Sequence, residues 1–196
     1  MWVGARLEAK PCEKWREYRI RQRLSSSGVP PLYLDSTFKD FPRELVTDEF
    51  QKIVDFRQHL TSGAPSSLIL AGGPDSGKTR LSIAMLRGLV TTAPRALLWY
   101  TDVTSSRALM KTRYDSDESM GDPFENARMA DVVVVDGVAA PKERDRDQWL
   151  HERVEGLIRE RALDARATIL TTSAVASLVA SYQTVDLRGV PVCNLP

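Results

Sequence analysis

Four short, nearly continuous apolar runs recur along the chain: residues 67–71, 96–101, 132–136 and 167–172. Between them apolar residues return every three or four positions, which predicts helices over 78–91, 104–113 and 147–162. Runs of this length, too apolar for a strand with one wet face, suit strands covered on both sides. Alternating strand and helix then gives an α/β fold of three layers, with helices on both faces of a parallel sheet. Val190–Val192 suggests a short last strand, interrupted by Pro191. Upstream, Phe50, Ile53, Val54 and Leu60 mark an amphipathic helix over 44–60. A basic helix over 10–24 follows Pro11, with Trp15 and Tyr18 three apart, and Ser25-Ser26-Ser27-Gly28-Val29-Pro30-Pro31 then breaks it as a joint. That helix reads equally as a docking arm for a protein or nucleic acid and as a solvated helix with its aromatics on the core.

The first apolar run leads straight into Gly72-Gly73-Pro74-Asp75-Ser76-Gly77-Lys78-Thr79, which fits G-x-x-x-x-G-K-[ST] at every fixed position. Leu81, Ile83, Ala84, Leu86 and Leu89 follow at helical spacing, so the motif lies between a strand and a helix. Glycines let successive N–H groups turn toward phosphate oxygens, and the helix beginning near Lys78 adds its positive end. Candidate nucleotide ligands are therefore Gly72, Gly73, Pro74, Asp75, Ser76, Gly77, Lys78, Thr79 and Arg80. Lys78 is expected to bridge the β- and γ-phosphates and Thr79 to ligate Mg²⁺. The run of four valines ends in Asp136, a carboxylate at a strand's carboxyl end and a second metal ligand. Thr168 to Ser173 form a third signal, a buried strand ending in small hydroxyls, candidates to sense the γ-phosphate or orient water. Thr and Ser also cap strands and helices generally.

Composition narrows the classes without choosing among them. No apolar run approaches the ~20 residues of a membrane span, and no apolar stretch follows the basic amino terminus as a secretory signal requires. Cys12 and Cys193 alone give neither a disulfide framework nor a zinc site, which suits a cytoplasmic protein. The net charge is +1, but residues 1–30 hold seven Lys or Arg against three Glu.

Over residues 28–175 the chain resembles the AAA+ ATPases of the DnaC/DnaI helicase-loader and IstB transposition-helper group. The resemblance rests on Gly28-Val29-Pro30-Pro31, Tyr33, Thr37-Phe38 and Phe41 as a lead-in motif, then the 72–79 loop, Asp136 and the 168–173 strand in order. It implies an AAA+ core over 32–196 behind an arm and linker at 1–31, with strand order 5-1-4-3-2 and ATP with Mg²⁺ as cofactors. Tyr33, Phe38 and Phe41 would wall the adenine side, although packing on the core explains each equally. The helix after the second strand would bind single-stranded DNA through Arg107, Lys111, Arg113 and Tyr114, cations beside an aromatic. A solvated helix face accounts for the same cations. The implied partners are a replicative DNA helicase, single-stranded DNA and further copies of the chain.

The chain departs from the group at Gly137, where a second acidic residue usually follows the aspartate, and at Ser173, where asparagine is usual. No arginine stands clearly at the finger position. The expectation is therefore a helicase-loader-like ATP-binding protein in DNA replication with weak ATP hydrolysis. Lys78, Asp136 and Ser173 are its catalytic candidates, with Asp102, Arg159, Arg161 and Arg188 as substitutes. A nucleotide-gated regulator with little hydrolysis is the first alternative. A small-molecule phosphotransferase with an arginine-rich lid at 141–161 is the second.

Overall fold

The computed structural model describes residues 12–41, 47–62, 67–108, 124–138, 148–173, 175 and 191–195. Five parallel strands form one sheet: β1 (Ser67–Ala71), β2 (Leu98–Asp102), β3 (Val132–Asp136), β4 (Ala167–Thr172) and β5 (Val192–Asn194). Their spatial order is β2-β3-β4-β1-β5, the expected 5-1-4-3-2. The helices are α1 (Glu13–Ser26), α2 (Thr47–Ser62), α3 (Lys78–Thr92), α4 (from 103, described to 108), α5 (Glu125–Met129) and α6 (Gln148–Leu163).

Alternation along the strands divides the interior in two. Leu68, Leu70, Val132, Val134 and Ile169 face α1, α2 and α3, whereas Ile69, Val133, Val135 and Leu170 face α5 and α6. Both faces are dry, which is why the strands lack polar alternation. Burying each such Leu, Ile or Val side chain contributes roughly 1.5–3 kcal/mol.

Most helix bounds shift by one to three residues from the sequence expectation, and the last strand lies at Val192–Asn194, after Pro191, instead of around 190–192. β2 begins at Leu98 rather than 96, because the Leu97 N–H and C=O are taken by the Asp131 carboxylate and N–H (2.8 Å each) and its side chain turns to solvent. The five-residue α5 was not foreseen, being too short to show a period. α1 runs two residues past 24, and the serines expected to break it sit on its last turn. Ser26 and Ser27 hydroxyls donate to the Arg23 carbonyl (2.9 and 2.8 Å).

α1 then stops in a fixed geometry. Gly28 takes φ +84, Val29 N–H reaches the Leu24 carbonyl and Gly28 N–H the Ser25 carbonyl (3.1 Å each). This is the Schellman pattern, with its apolar contact supplied by Leu24 and Val29 in the core. A Cβ at Gly28 would stand 2.7 Å from the Tyr100 carbonyl oxygen. The turn is also bonded to the sheet, since Tyr100 N–H donates to the Ser27 carbonyl at 2.8 Å. The expected joint is thus locked to β2. Ile20 and Leu24 are buried, while Trp15 and Tyr18 are 51% and 58% exposed, with the Arg19 guanidinium 5.0 Å from the Trp15 ring centre.

Candidate nucleotide site

β1 ends at Ala71, and the chain must turn through six residues before α3 begins at Lys78. Two left-handed residues make this turn: Asp75 (φ 60), a residue type that tolerates that region, and Gly77 (φ 87). At Gly77 a side chain is also excluded by contact, because a Cβ would lie 2.8 Å from the Phe41 ring. Gly72 N–H donates to the Thr172 carbonyl at 3.2 Å, so the loop starts bonded to the end of β4. Lys78 Nζ folds over the loop, donating to the carbonyls of Gly72 (2.9 Å) and Gly73 and to Ser76 Oγ (3.2 Å). These neutral oxygens occupy the ammonium in the place of an anionic acceptor, which would bind it more strongly.

Thr79 and Asp136, 57 positions apart, are brought into contact. Thr79 Oγ1 donates to the Asp136 carboxylate, 3.0 and 2.9 Å from its two oxygens. Two further hydroxyls converge on the same carboxylate: Tyr100 OH on Oδ2 (2.8 Å) and Thr171 Oγ1 on Oδ1 (2.5 Å). Asp136 is buried and met by three neutral donors, so its negative charge is held in one orientation and left for a cation. Among the described residues no group of three or more His, Cys, Asp or Glu side chains stands together. One hydroxyl and one carboxylate beside a phosphate loop is instead the sparse protein contribution that Mg²⁺ accepts, with phosphate oxygens and water completing its shell. The residues fit the group.

Tyr100 and Thr171 were not foreseen. Thr171 belongs to the hydroxyl-rich run that directed attention to Ser173, and the end of the strand at Thr172 decides between them. Thr171 points inward to Asp136 and accepts from Gly137 N–H (2.8 Å), whereas Ser173 is exposed just beyond β4. Tyr100 carried a weaker signal, a polar-tipped aromatic inside an apolar run, where a buried hydroxyl needs a partner.

Burial first, and then the Asp136 charge and hydrogen bond and the Asp102 charge, hold the Tyr100 phenol above its ordinary value of 10.0. Unfolded tyrosine ionises near pH 10 while the folded form stays neutral, so this group's stabilisation is present below about pH 10 and fades as pH rises beyond it. In an ultraviolet tyrosinate titration of the folded protein, one of the five tyrosines should therefore fail to titrate with the rest. Tyr100→Phe should remove that resistant fraction. A parent whose tyrosines all ionise together near pH 10 while still folded contradicts the contact.

The expected aromatic walls go to different places. Phe41 lies against Gly77 of the loop. Phe38 lines a groove of about 310 Å³ with Glu17, Arg57 and Arg87, whereas Tyr33 lines a separate cavity beside the end of β2. Arg107 lies on α4 immediately after β2; Lys111, Arg113, Tyr114 and Arg188 lie outside the described residues.

Arg161 is a correction. Considered among charged residues that could reach another subunit or a substrate, it is 1% exposed and belongs to the interior. Its guanidinium donates to the carbonyls of Ala127 and Ala130 (2.7 Å each) and Ala167 (2.6 Å), and its Nε to Thr168 Oγ1 (3.1 Å). Burial, and then the neighbouring Arg166 charge, lower it to about 10, so it remains a cation at neutral pH. α6, which carries it, buries Leu150, Val154, Leu157 and Ile158. Residues 148–161 are a packed layer of the fold rather than a lid.

No family model matches the sequence. Among curated proteins, the uncharacterized protein YqaM of Bacillus subtilis (strain 168) is 22% identical over 174 residues, covering 84% of this chain and 54% of YqaM. The phage-like element PBSX protein XkdC of the same organism is 22% identical, covering 93% of this chain and 71% of XkdC. The chain thus spans about half the length of the first of these relatives. Among solved structures, the DnaC helicase loader superposes with a TM-score of 0.65 at 16% identity, covering 85% of this chain and all of that one. A putative primosome component from Streptococcus pyogenes serotype M3 gives 0.63 at 14%, covering 90% and 94%. DnaA from Aquifex aeolicus, bound to AMPPCP, gives 0.59 at 14%, covering 82% and 50%. Sheet order, loop and superpositions agree: the chain has the AAA+ P-loop fold, in the form seen in the DnaC helicase loader.

Proposed function

We propose that the protein is an ATP·Mg²⁺-binding switch of the helicase-loader kind, acting in DNA replication on single-stranded DNA and a replicative helicase. The observation that carries this reading is the preformed phosphate loop beside the Thr79–Asp136 pair, on a fold shared with a helicase loader and a nucleotide-bound replication initiator. The amides of 72–79 and Lys78 would hold the phosphates, and Thr79 and Asp136 the metal. Bound Mg²⁺ supplies charge neutralisation at the phosphate oxygens. Tyr100 and Thr171 fix the Asp136 carboxylate, and Phe41 fixes the loop by packing on Gly77.

Hydrolysis should be slow in the isolated chain. Gly137 puts no side chain beside Asp136, and no arginine stands clearly at the finger position in the sequence, a loss that by itself costs roughly 10³–10⁵ in rate. Slow turnover suits a protein whose bound nucleotide records a state. Of the expected lid at 141–161, residues 148–161 pack into the fold as part of α6, which weighs against the phosphotransferase reading; residues 141–147 lie outside the described residues.

The test is a titration of labelled oligo-dT with the protein in Mg·ATPγS, Mg·ADP or no nucleotide, with phosphate release measured in parallel. The expected result is tighter single-strand binding in ATPγS, little affinity for duplex, and turnover well below one per second. Lys111→Ala/Arg113→Ala should reduce the salt slope by about 1.4, two phosphate contacts on a single strand. Binding that ignores nucleotide, or brisk turnover by the isolated chain, overturns the switch reading.

A further inference from the structure

At the end of β3 the chain leaves an open place where a carboxylate would stand. Gly137 follows Asp136 with φ +76, and a Cβ there would meet one neighbour, Asp102 Oδ1, at 3.6 Å. Asp102 is the last residue of β2 and lies in register with Asp136 on the adjacent strand. The two aspartates line one cavity of about 430 Å³, with Tyr100, Thr101 and Tyr33 on its walls. The oxygens of Asp102 are not equally engaged. Oδ2 accepts from Ser105 N–H (2.9 Å) and Ser105 Oγ (2.6 Å), anchoring the first turn of α4. Oδ1 accepts a longer bond from Thr104 N–H (3.2 Å) and is the oxygen turned toward Gly137.

We propose that Asp102 is the catalytic carboxylate of this site, supplied from the neighbouring strand in place of a side chain at 137. The proposal rests on the ATP reading above. Asp102 Oδ1 accepts a hydrogen bond from the attacking water. The water oxygen forms a bond to the γ-phosphorus, and the bond from that phosphorus to the β–γ bridging oxygen breaks. ADP leaves with the electron pair, and the water proton passes to Asp102 and on to solvent. A second role follows from the Ser105 contacts: the base is also the cap of α4, so the helix carrying Arg107 is bonded to the residue that faces the reacting water.

Asp102→Asn separates these roles, because asparagine caps a helix as well as aspartate but is a poor base. The full-length variant should keep the parent's melting temperature and its affinity for Mg·ATPγS. Its phosphate release should fall by about 10²-fold, the usual contribution of a general base. Its affinity for Mg·ADP with aluminium fluoride, which mimics the transferring phosphoryl group, should fall by at least about tenfold. Adding Gly137→Asp, a residue type that tolerates left-handed backbone, should restore part of both. Phosphate release by Asp102→Asn equal to the parent's overturns the proposal. So does a parent that binds Mg·ATPγS yet releases no phosphate above Lys78→Ala, with or without oligo-dT. A parent that does not bind Mg·ATPγS sinks the ATP reading itself, which distinguishes the two failures.

Discussion

Lys78→Ala is expected to weaken ATP·Mg²⁺ binding by about 2–5 kcal/mol, the cost of losing one partner of a charge pair, or roughly 30- to 4,000-fold. Nothing else on the described loop supplies a cation over the Gly72 and Gly73 carbonyls, where Lys78 Nζ rests. The fold should be indifferent to the change. Lys78 contacts only its own loop, and α3 is anchored by Leu81, Ile83, Leu86 and Leu89, all buried. Calorimetric titration with Mg·ATPγS, beside a thermal melt of the same preparation, reads both halves. A variant that binds like the parent removes the phosphate-loop assignment. One that loses binding together with its melt makes Lys78 structural.

The second large effect concerns stability. Arg161→Met keeps much of the side-chain volume but deletes every hydrogen bond of a buried guanidinium. The carbonyls of Ala127, Ala130 and Ala167 lose their donors from that group, and these belong to α5, the approach to β3 and the start of β4. A buried carbonyl that loses its donor costs about 1–3 kcal/mol, so losing this set should lower stability by several kcal/mol, or about 10 °C in a domain of this size. Arg161→Lys should recover only part, since an ammonium cannot present the same planar fork. A melting temperature within about 2 °C of the parent for Arg161→Met would show that the interior repacks without this network.

Arg161 also shows where the sequence stops being legible. In a stretch of alternating charges Arg161 looks like its neighbours. Its helical spacing from Val154, Leu157 and Ile158 puts it on the buried stripe. The carbonyls that hold it, from Ala127 and Ala130 to Ala167, come from other elements and leave no local trace. The strand–loop–helix unit at 67–92 was readable because its determinants are local: an apolar run, a glycine pattern and a helical period. β3 and β4 were readable for the same reason, and their boundaries match those expected. The partners of Asp136 were only half visible. Thr79 comes from the motif, but Tyr100 and Thr171 reach it from strands 36 and 35 positions away, and pairing across a parallel sheet leaves no local trace. The strand order itself came from the resemblance, since apolar runs do not say which neighbour they choose.

Each rim of the sheet is bonded to a segment from outside the central strand–helix alternation. At one rim the outward N–H of Tyr100 is taken by Ser27; at the other the Val192 carbonyl accepts from Lys52 on α2, at 2.8 Å. An uncovered strand offers its unsatisfied amides to any other extended chain, including another molecule of the same protein. The segments before β1 therefore act as selvedges on a woven edge. At those two points a second chain finds the strand's own group already taken, so continuing the sheet there means first displacing Ser27 or Lys52.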